Sequence, residues 1–252
     1  MQGHEYGFRY VDVHSHAHEY SPEELEAILA SAPLHIVIVS DDLETSRRTL
    51  DYWRRFRGRV TPCLGVHPWS VKSREAVEEA RKTVELALEN GVQCLGEVGL
   101  DTKFVGETIE LQRSVFQVFL EAARDHNLIL NLHTAGTWEE VLSLLERYDI
   151  GYANFHWYTG PLHLIPRIAD HGYTISINPA IRIQKKHQNV VANAPLEIML
   201  TESDAPYEYK GIKMSPTLVR EVVEHIARIK GLDAGHVAET IRSTFEKKWL
   251  KR

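Results

Sequence analysis

The stretch YVDVHSHAHEY, residues 10–20, places His14, His16 and His18 where a short apolar run ends. Other apolar runs end on similar side chains: His67 in LGVHP, Glu97 in LGEVGLD, His133 in LNLHTAG, His156 in NFHWYTG and Asp204 in TESDAP. Imidazole nitrogens mixed with carboxylate oxygens suit Zn²⁺, Mn²⁺, Fe²⁺ or Co²⁺, whereas Mg²⁺ favours a site richer in oxygen. His14 and His16 are two residues apart on what reads as extended backbone, so their rings point the same way and can grip one cation. Taken with Glu97, His133, His156 and Asp204 they make more ligands than one catalytic zinc needs, since that ion takes three protein ligands and a water. Two ions sharing a carboxylate would use them all, and Glu97 is the natural bridge.

Each residue also has a plainer reading. A lone histidine at a strand end is commonly a satisfied polar group, and a lone Glu or Asp there is commonly a helix cap or turn residue. His67 reads equally well as the cap of the turn before Pro68. The coincidence is what points to metal: four imidazoles and two carboxylates fall on five of eight strand ends, all at the same end. Without an ion they would gather buried polar groups that need other partners.

The elements that must position them follow from the apolar periodicity. Strands are expected at 10–13, 35–39, 60–66, 92–98, 128–132, 152–155, 173–177 and 198–200. Helical-period segments lie between most of them. In SPEELEAILA, Ser21 is a fitting N-cap, Pro22 takes the first helical position and Glu24 completes a capping box. In SREAVEEARKTVELALENG the expected inner face is Val77, Ala80, Val84 and Leu88, with Gly91 as the stop. In the following helix Leu111, Val115, Phe119 and Ala122 form the stripe, and two last helices span about 217–230 and 234–248. Strands alternating with helices imply parallel pairing and right-handed crossovers. An open doubly wound sheet would be expected to carry a glycine-rich loop after its first strand. Here His-Ser-His-Ala-His stands in that place, which favours an α/β fold of the TIM-type (β/α)8 barrel. Chemistry in such a barrel is built on the C-terminal strand ends. No linker or repeat divides the chain, so residues 1–252 read as one domain.

The 252 residues, 43% apolar and 25% charged, suit one large soluble core. No apolar run is long enough for a membrane span, and the first residues lack a secretory pattern. Cys63 and Cys94 sit in strand-like runs and read as two reduced core thiols, which points to the cytoplasm. A net charge of −6 argues against a broadly basic nucleic-acid-coating surface, though not against a local basic rim.

VDVHSHAH, LGVHP, LGEVGLD, LHTAG, FHWYTG and TESDAP occur in the order and spacing of the TatD-type metal-dependent deoxyribonucleases, within the amidohydrolase-like barrels. The resemblance covers essentially the whole chain. It implies a barrel with one or two divalent ions (Mg²⁺, Mn²⁺ or Zn²⁺) that hydrolyses phosphodiesters, usually in DNA. By resemblance His14, His16, Glu97, His133, His156 and Asp204 are the metal ligands, His67 an additional substrate-facing histidine, and Glu202 a supporting carboxylate. The chain departs from the family pattern in two places. Ala135 and Gly136 stand where an Arg commonly follows the fifth-strand His-Thr, and Trp157-Tyr158 replaces Cys-Phe after the sixth-strand His. Both changes fall where substrate should sit.

The expected mechanism is in-line attack on phosphorus by a metal-activated water. Asp204 is the expected proton acceptor, Glu97 the bridge, and His67 a donor to a phosphate oxygen. Arg182, Lys185 and Lys186 after the seventh strand, with Lys210 and Lys213 after the eighth, are candidate phosphate contacts. Trp69, Phe104, Trp157 and Tyr158 are candidate stacking surfaces for an unpaired base at a DNA end or single strand, or else packing residues. The rival activity is hydrolysis of a small amide, lactone or deaminable ring. Several such barrel enzymes bridge their metals with a modified Lys at the fourth strand end, where this chain has Glu97. A non-catalytic scaffold would be expected to show degraded ligands, and none is degraded.

Overall fold

A computed structural model of the protein describes residues 7–250. Eight strands follow one another in chain order: β1 Tyr10–Ser15, β2 Leu34–Val39, β3 Val60–Cys63, β4 Cys94–Gly99, β5 Ile129–His133, β6 Tyr152–Phe155, β7 Thr174–Ile177 and β8 Met199–Thr201. Parallel ladders join β1-β2-β3 and β4-β5-β6-β7-β8. Two seams close the ring. Across β3/β4 the amide of Leu64 donates to the Cys94 carbonyl at 3.1 Å, and that of Gly96 to Leu64 at 2.9 Å. Across β8/β1 the amide of Asp204 donates to the His14 carbonyl at 2.9 Å. The result is the expected TIM-type barrel.

Its outer helices are α1 Pro22–Ser31, α2 Leu43–Arg55, α3 Glu75–Glu89, α4 Ile109–His126, α5 Trp138–Arg147, α6 Ile165–Asp170, α7 Lys185–Asn193, α8 Val219–Lys230 and α9 Ala234–Phe245. α1 begins with the expected capping box between Ser21 and Glu24, a device that stabilises a helix start by about 1 kcal/mol. β2 shows why a parallel strand reads as one apolar run. Leu34, Ile36 and Ile38 face Leu25 and Leu29 of α1 and Tyr52 of α2, while Val37 and Val39 join the larger core. Both faces are covered, so polar alternation is lost.

Three details depart from the sequence reading. The buried face of α3 is Ala76, Ala80, Thr83 and Ala87, and Leu88 is exposed. Small side chains allow this helix to pack closely, so the bulkier Val77 and Val84 fall at the margin rather than the centre. The chain also forms a hairpin after β8, β9 Glu208–Tyr209 paired with β10 Ile212–Lys213, too short to leave a periodic signal. Finally, Cys63 and Cys94 are joined in a disulfide across the β3/β4 seam, not held as two thiols. Neighbouring positions on adjacent strands bring their sulfurs together, a proximity that two separate apolar runs do not disclose.

β3 is short, and past its end the tip of β2 reaches β4 directly. The Ser40 amide donates to the Gly96 carbonyl at 3.0 Å and the Glu97 amide to the Ser40 carbonyl at 2.9 Å. Gly65 makes that approach possible: a Cβ there would lie 2.5 Å from the Glu97 carbonyl oxygen. Gly65→Ala is therefore expected to lower unfolding free energy by about 1–3 kcal/mol, the usual cost of forcing an extra carbon into packed backbone. Urea unfolding measures it, and a change within about 0.5 kcal/mol, the range of ordinary surface substitutions, would show that the backbone there is not closed.

Candidate metal centre

All seven sequence-derived candidates, His14, His16, His67, Glu97, His133, His156 and Asp204, meet at the C-terminal mouth of the barrel, around Glu97. Its carboxylate is 1% exposed and its two oxygens face different groups. Oε2 lies 3.1 Å from His14 Nε2 and 3.2 Å from His16 Nε2, and Asp204 Oδ1 is 3.7 and 3.6 Å from those same nitrogens. Oε1 lies 2.7 Å from His133 Nδ1, 3.3 Å from His156 Nε2 and 3.3 Å from His67 Nε2. Two donor groups thus share one carboxylate.

The partners behind each ring decide which nitrogen faces inward. Asn131 Nδ2 donates to the Val13 carbonyl at 2.7 Å, so its Oδ1 is the acceptor turned to His14 Nδ1 at 3.1 Å. His14 therefore carries its proton on Nδ1 and offers Nε2. His133 Nε2 donates to Asp101 Oδ2 at 3.0 Å, which leaves Nδ1 free to face Glu97. His156 turns Nδ1 toward Glu202 Oε1 at 3.4 Å and Nε2 toward Glu97. Glu202 is held by the Trp157 amide at 2.8 Å, the Ser176 hydroxyl at 2.5 Å and Asn178 Nδ2 at 3.2 Å. Carboxylates and carbonyls behind imidazoles are the arrangement that orients metal ligands. His67 differs. Its Nδ1 accepts from the Trp69 amide at 3.0 Å, so the neutral ring is a donor at Nε2. The turn-capping and the inward-facing readings of His67 are both true.

Electrostatics agree with a site built for cations. Burial opposes charge on His14, but Glu97 beside it outweighs this and raises its pKa to about 9. For His133 burial is likewise overcome, by Asp101 and Glu97, again to about 9. Burial alone would raise Glu97, yet the surrounding imidazoles hold it well below the usual carboxylate range. Protons thus compensate the carboxylate wherever cations do not. Sets of nitrogen and oxygen atoms close enough to ligate one ion occur in His14/His16/Asp204, His14/Glu97/His156 and His67/Glu97/His133. The donor set fits divalent ions.

The centre opens into a cavity of about 560 Å³. Trp69, Phe104, Trp157, Tyr207 and Tyr209 contribute to its walls, while Tyr158 is fully buried and donates its hydroxyl to the Pro161 carbonyl. Among the described residues lining it, Lys103 is the one Lys or Arg. Arg182 pairs with Glu221 and Lys185 opens α7; neither is on the cavity wall, although Gln184 between them is. The sequence reading passed over Asp101 and Asn131. Both lie inside quoted or adjoining motifs, but nothing in residue type alone distinguishes an orienting Asp or Asn from a turn residue. Lys103, Tyr207 and Tyr209 were equally silent.

The sequence model of the TatD related DNase family matches residues 11–249. The chain is 29% identical over 240 residues to a metal-dependent hydrolase of Methanocaldococcus jannaschii, covering 92% of this chain and 94% of that one. It is 27% identical over 247 residues to deoxyribonuclease TATDN3 of Homo sapiens, covering 90% of each. Among solved structures, the TatD homologue YjjV of Escherichia coli superposes with a TM-score of 0.82 at 24% identity, over 94% of this chain and 96% of that one. A TatD-family hydrolase of Entamoeba histolytica gives 0.83 at 16% identity, over 98% and 99%. With a family match over nearly its whole length and hydrolase relatives on both sides, this chain belongs to the TatD-related DNase family and is a metal-dependent hydrolase.

Proposed function

We propose that the chain is a divalent-metal phosphodiesterase acting on DNA, at ends or unpaired segments. The observation that carries this reading is the shared Glu97 carboxylate: one oxygen faces His14 and His16 beside Asp204, the other faces His133 and His156. In the proposal these six residues would hold the divalent ions, with the Glu97 carboxylate common to both donor groups. Bound there, the cations supply Lewis acidity, making water nucleophilic near neutral pH and stabilising charge on the phosphoryl oxygens. Asp204, at the cavity wall, accepts the proton of the attacking water. His67 donates from Nε2 to a phosphate oxygen, its other nitrogen being engaged by Trp69. Trp157, or Trp69 or Phe104 elsewhere on the cavity wall, stacks an unpaired base. A cavity of about 560 Å³ is of the size that encloses a drug-sized ligand, which suits a strand end better than duplex. Arg182 and Lys185 contact phosphates only of a strand that continues past the cavity.

The reading takes residues 1–252 as one catalytic domain. Among the described residues no helix is long and apolar enough to cross a membrane. A cytoplasmic setting stays part of the proposal on composition alone, because the Cys63–Cys94 bridge removes the argument from reduced thiols. One observation favours the second reading, a small amide or lactone substrate: Lys103 is the one Lys or Arg among the described cavity residues. Hydrolysis of small esters and cyclic amides with no cleavage of oligonucleotides would select it.

Asp204→Asn is expected to lower metal-dependent cleavage of a labelled single-stranded oligonucleotide by about 100-fold or more, the scale of losing a positioned proton acceptor. Equal cleavage by both proteins would remove the proposed role. Metal affinity should also depend on pH. Without an ion, His14 and His133 keep their protons up to about pH 9, and ligation must displace them. Affinity for Mn²⁺ or Zn²⁺, measured by chelator competition, should rise from pH 6 to 9 and flatten above. An affinity independent of pH over that range would show that these rings do not ligate.

A further inference from the structure

We propose that His18 and Asp41 form a further divalent-cation site at the edge of the cavity, beside the Glu97 centre and distinct from it. His18 is the third imidazole of the opening motif, and the reading of Glu97 and its partners leaves it unused. Its ring is 4% exposed, and Nδ1 lies 3.0 Å from the Val39 carbonyl. A carbonyl only accepts, so Nδ1 bears the proton and Nε2 presents its lone pair. That lone pair faces Asp41 Oδ2 at 3.2 Å. In the neutral ring two acceptors then confront each other, and the contact is favourable only with a proton or a cation between them. An imidazole that donates its far N–H to a backbone carbonyl is also the usual posture of a metal ligand.

His16 supplies the second, independent observation. Its Nε2 points to Glu97, and its Nδ1 is buried, 3.1 Å from Asp41 Oδ1, with no hydrogen-bonding partner. A proton on His18 alone leaves that nitrogen unanswered. A cation held by His18 Nε2 and Asp41 Oδ2 fixes that carboxylate, whose Oδ1, 3.1 Å away, is then positioned to accept from His16 Nδ1. The nitrogen and oxygen atoms of His16, His18 and Asp41 lie within 4.8 Å of one another. Asp41 is 28% exposed and lines the cavity with Glu19, so the ion exchanges with solvent and its open positions face substrate. One His and one carboxylate select a transition metal such as Mn²⁺ or Zn²⁺, bound more weakly than by the full donor groups around Glu97. With a phosphate substrate (this step alone rests on the proposed function), the ion offsets the acidic wall made by Glu19 and Asp41.

Equilibrium dialysis of the whole protein against Mn²⁺ or Zn²⁺, followed by elemental analysis, tests this without relying on activity. The expected result is one ion more per chain at saturation for the unaltered protein than for His18→Leu or Asp41→Asn. An anomalous-difference map of the unaltered protein should show a peak between His18 Nε2 and Asp41, which keeps the test open where a variant fails to fold. Equal saturation of the unaltered protein and both variants, or no peak there, would overturn the inference. That result with oligonucleotide cleavage intact removes this site and leaves the proposed function. A peak there without cleavage does the reverse.

Discussion

Everything at the barrel mouth depends on keeping the Glu97 carboxylate out of water. Moving such an ion into a protein interior costs several kcal/mol even after relaxation, and attraction to partners offsets that only with good geometry. The chain meets the requirement by bringing five imidazoles, from the ends of β1, β3, β5 and β6, around two oxygens. Each ring is in turn a buried polar group that needs an answer on its far side. The demand propagates outward: to Asn131 behind His14, Asp101 behind His133 and Glu202 behind His156. An eight-stranded barrel suits this because neighbouring strand ends are close to one another and rigidly spaced, whatever their separation along the chain.

The outward layer also joins the metal centre to the cavity wall. Asp101 accepts from the half-exposed Trp69 indole at 2.6 Å as well as from His133 at 3.0 Å. Its other oxygen accepts the amides of Lys103 and Phe104, both at 2.8 Å. A single carboxylate, held down to about pKa 2 against its burial by these donors, thus fixes the His133 ring, an aromatic wall and the loop after β4. Binding against Trp69 and orientation of His133 are not independent.

The parts legible in the sequence are those in which residue type and position carry the physics together. β1 to β8 announce themselves because strands covered on both faces need continuous apolar runs, and α1 because its capping box is local. The ligand candidates stand out because imidazoles and carboxylates are costly to bury, so their recurrence at strand ends calls for a common cause. What was hidden depends on neighbours in space. The α3 face is set by how closely a helix approaches, which favours Ala76, Ala80 and Ala87 over larger side chains one position away. The Cys63–Cys94 pair depends on strand adjacency at the β3/β4 seam, and the contact of His18 with Asp41 on the latter arriving from the end of β2. Neither partner signals the other along the chain.

The two departures from the family pattern acquire a spatial meaning. Ala135 lines the cavity without charge, but the loop after β4 passes beside it: the Thr102 amide donates to the Ala135 carbonyl at 3.1 Å, and a Cβ on Gly136 would lie 3.9 Å from Lys103 Cβ. Lys103 therefore delivers a cation to the neighbourhood in which the sequence pattern lacks one. It does so as a flexible point charge over Phe104 rather than a planar fork, which favours attraction of an anion over bidentate gripping. Trp157 replaces a smaller residue with a wall, braced by Gln184 at 3.0 Å and by edge contacts to Tyr207 and Tyr209. Under the proposed function, a site with one mobile cation, rigid aromatic sides and a cation-binding floor would recognise a planar group and one phosphate at a time. Such recognition is tolerant of base sequence, because every base offers a stacking face, and it leaves the choice of scissile bond to the spacing between aromatic wall and Glu97.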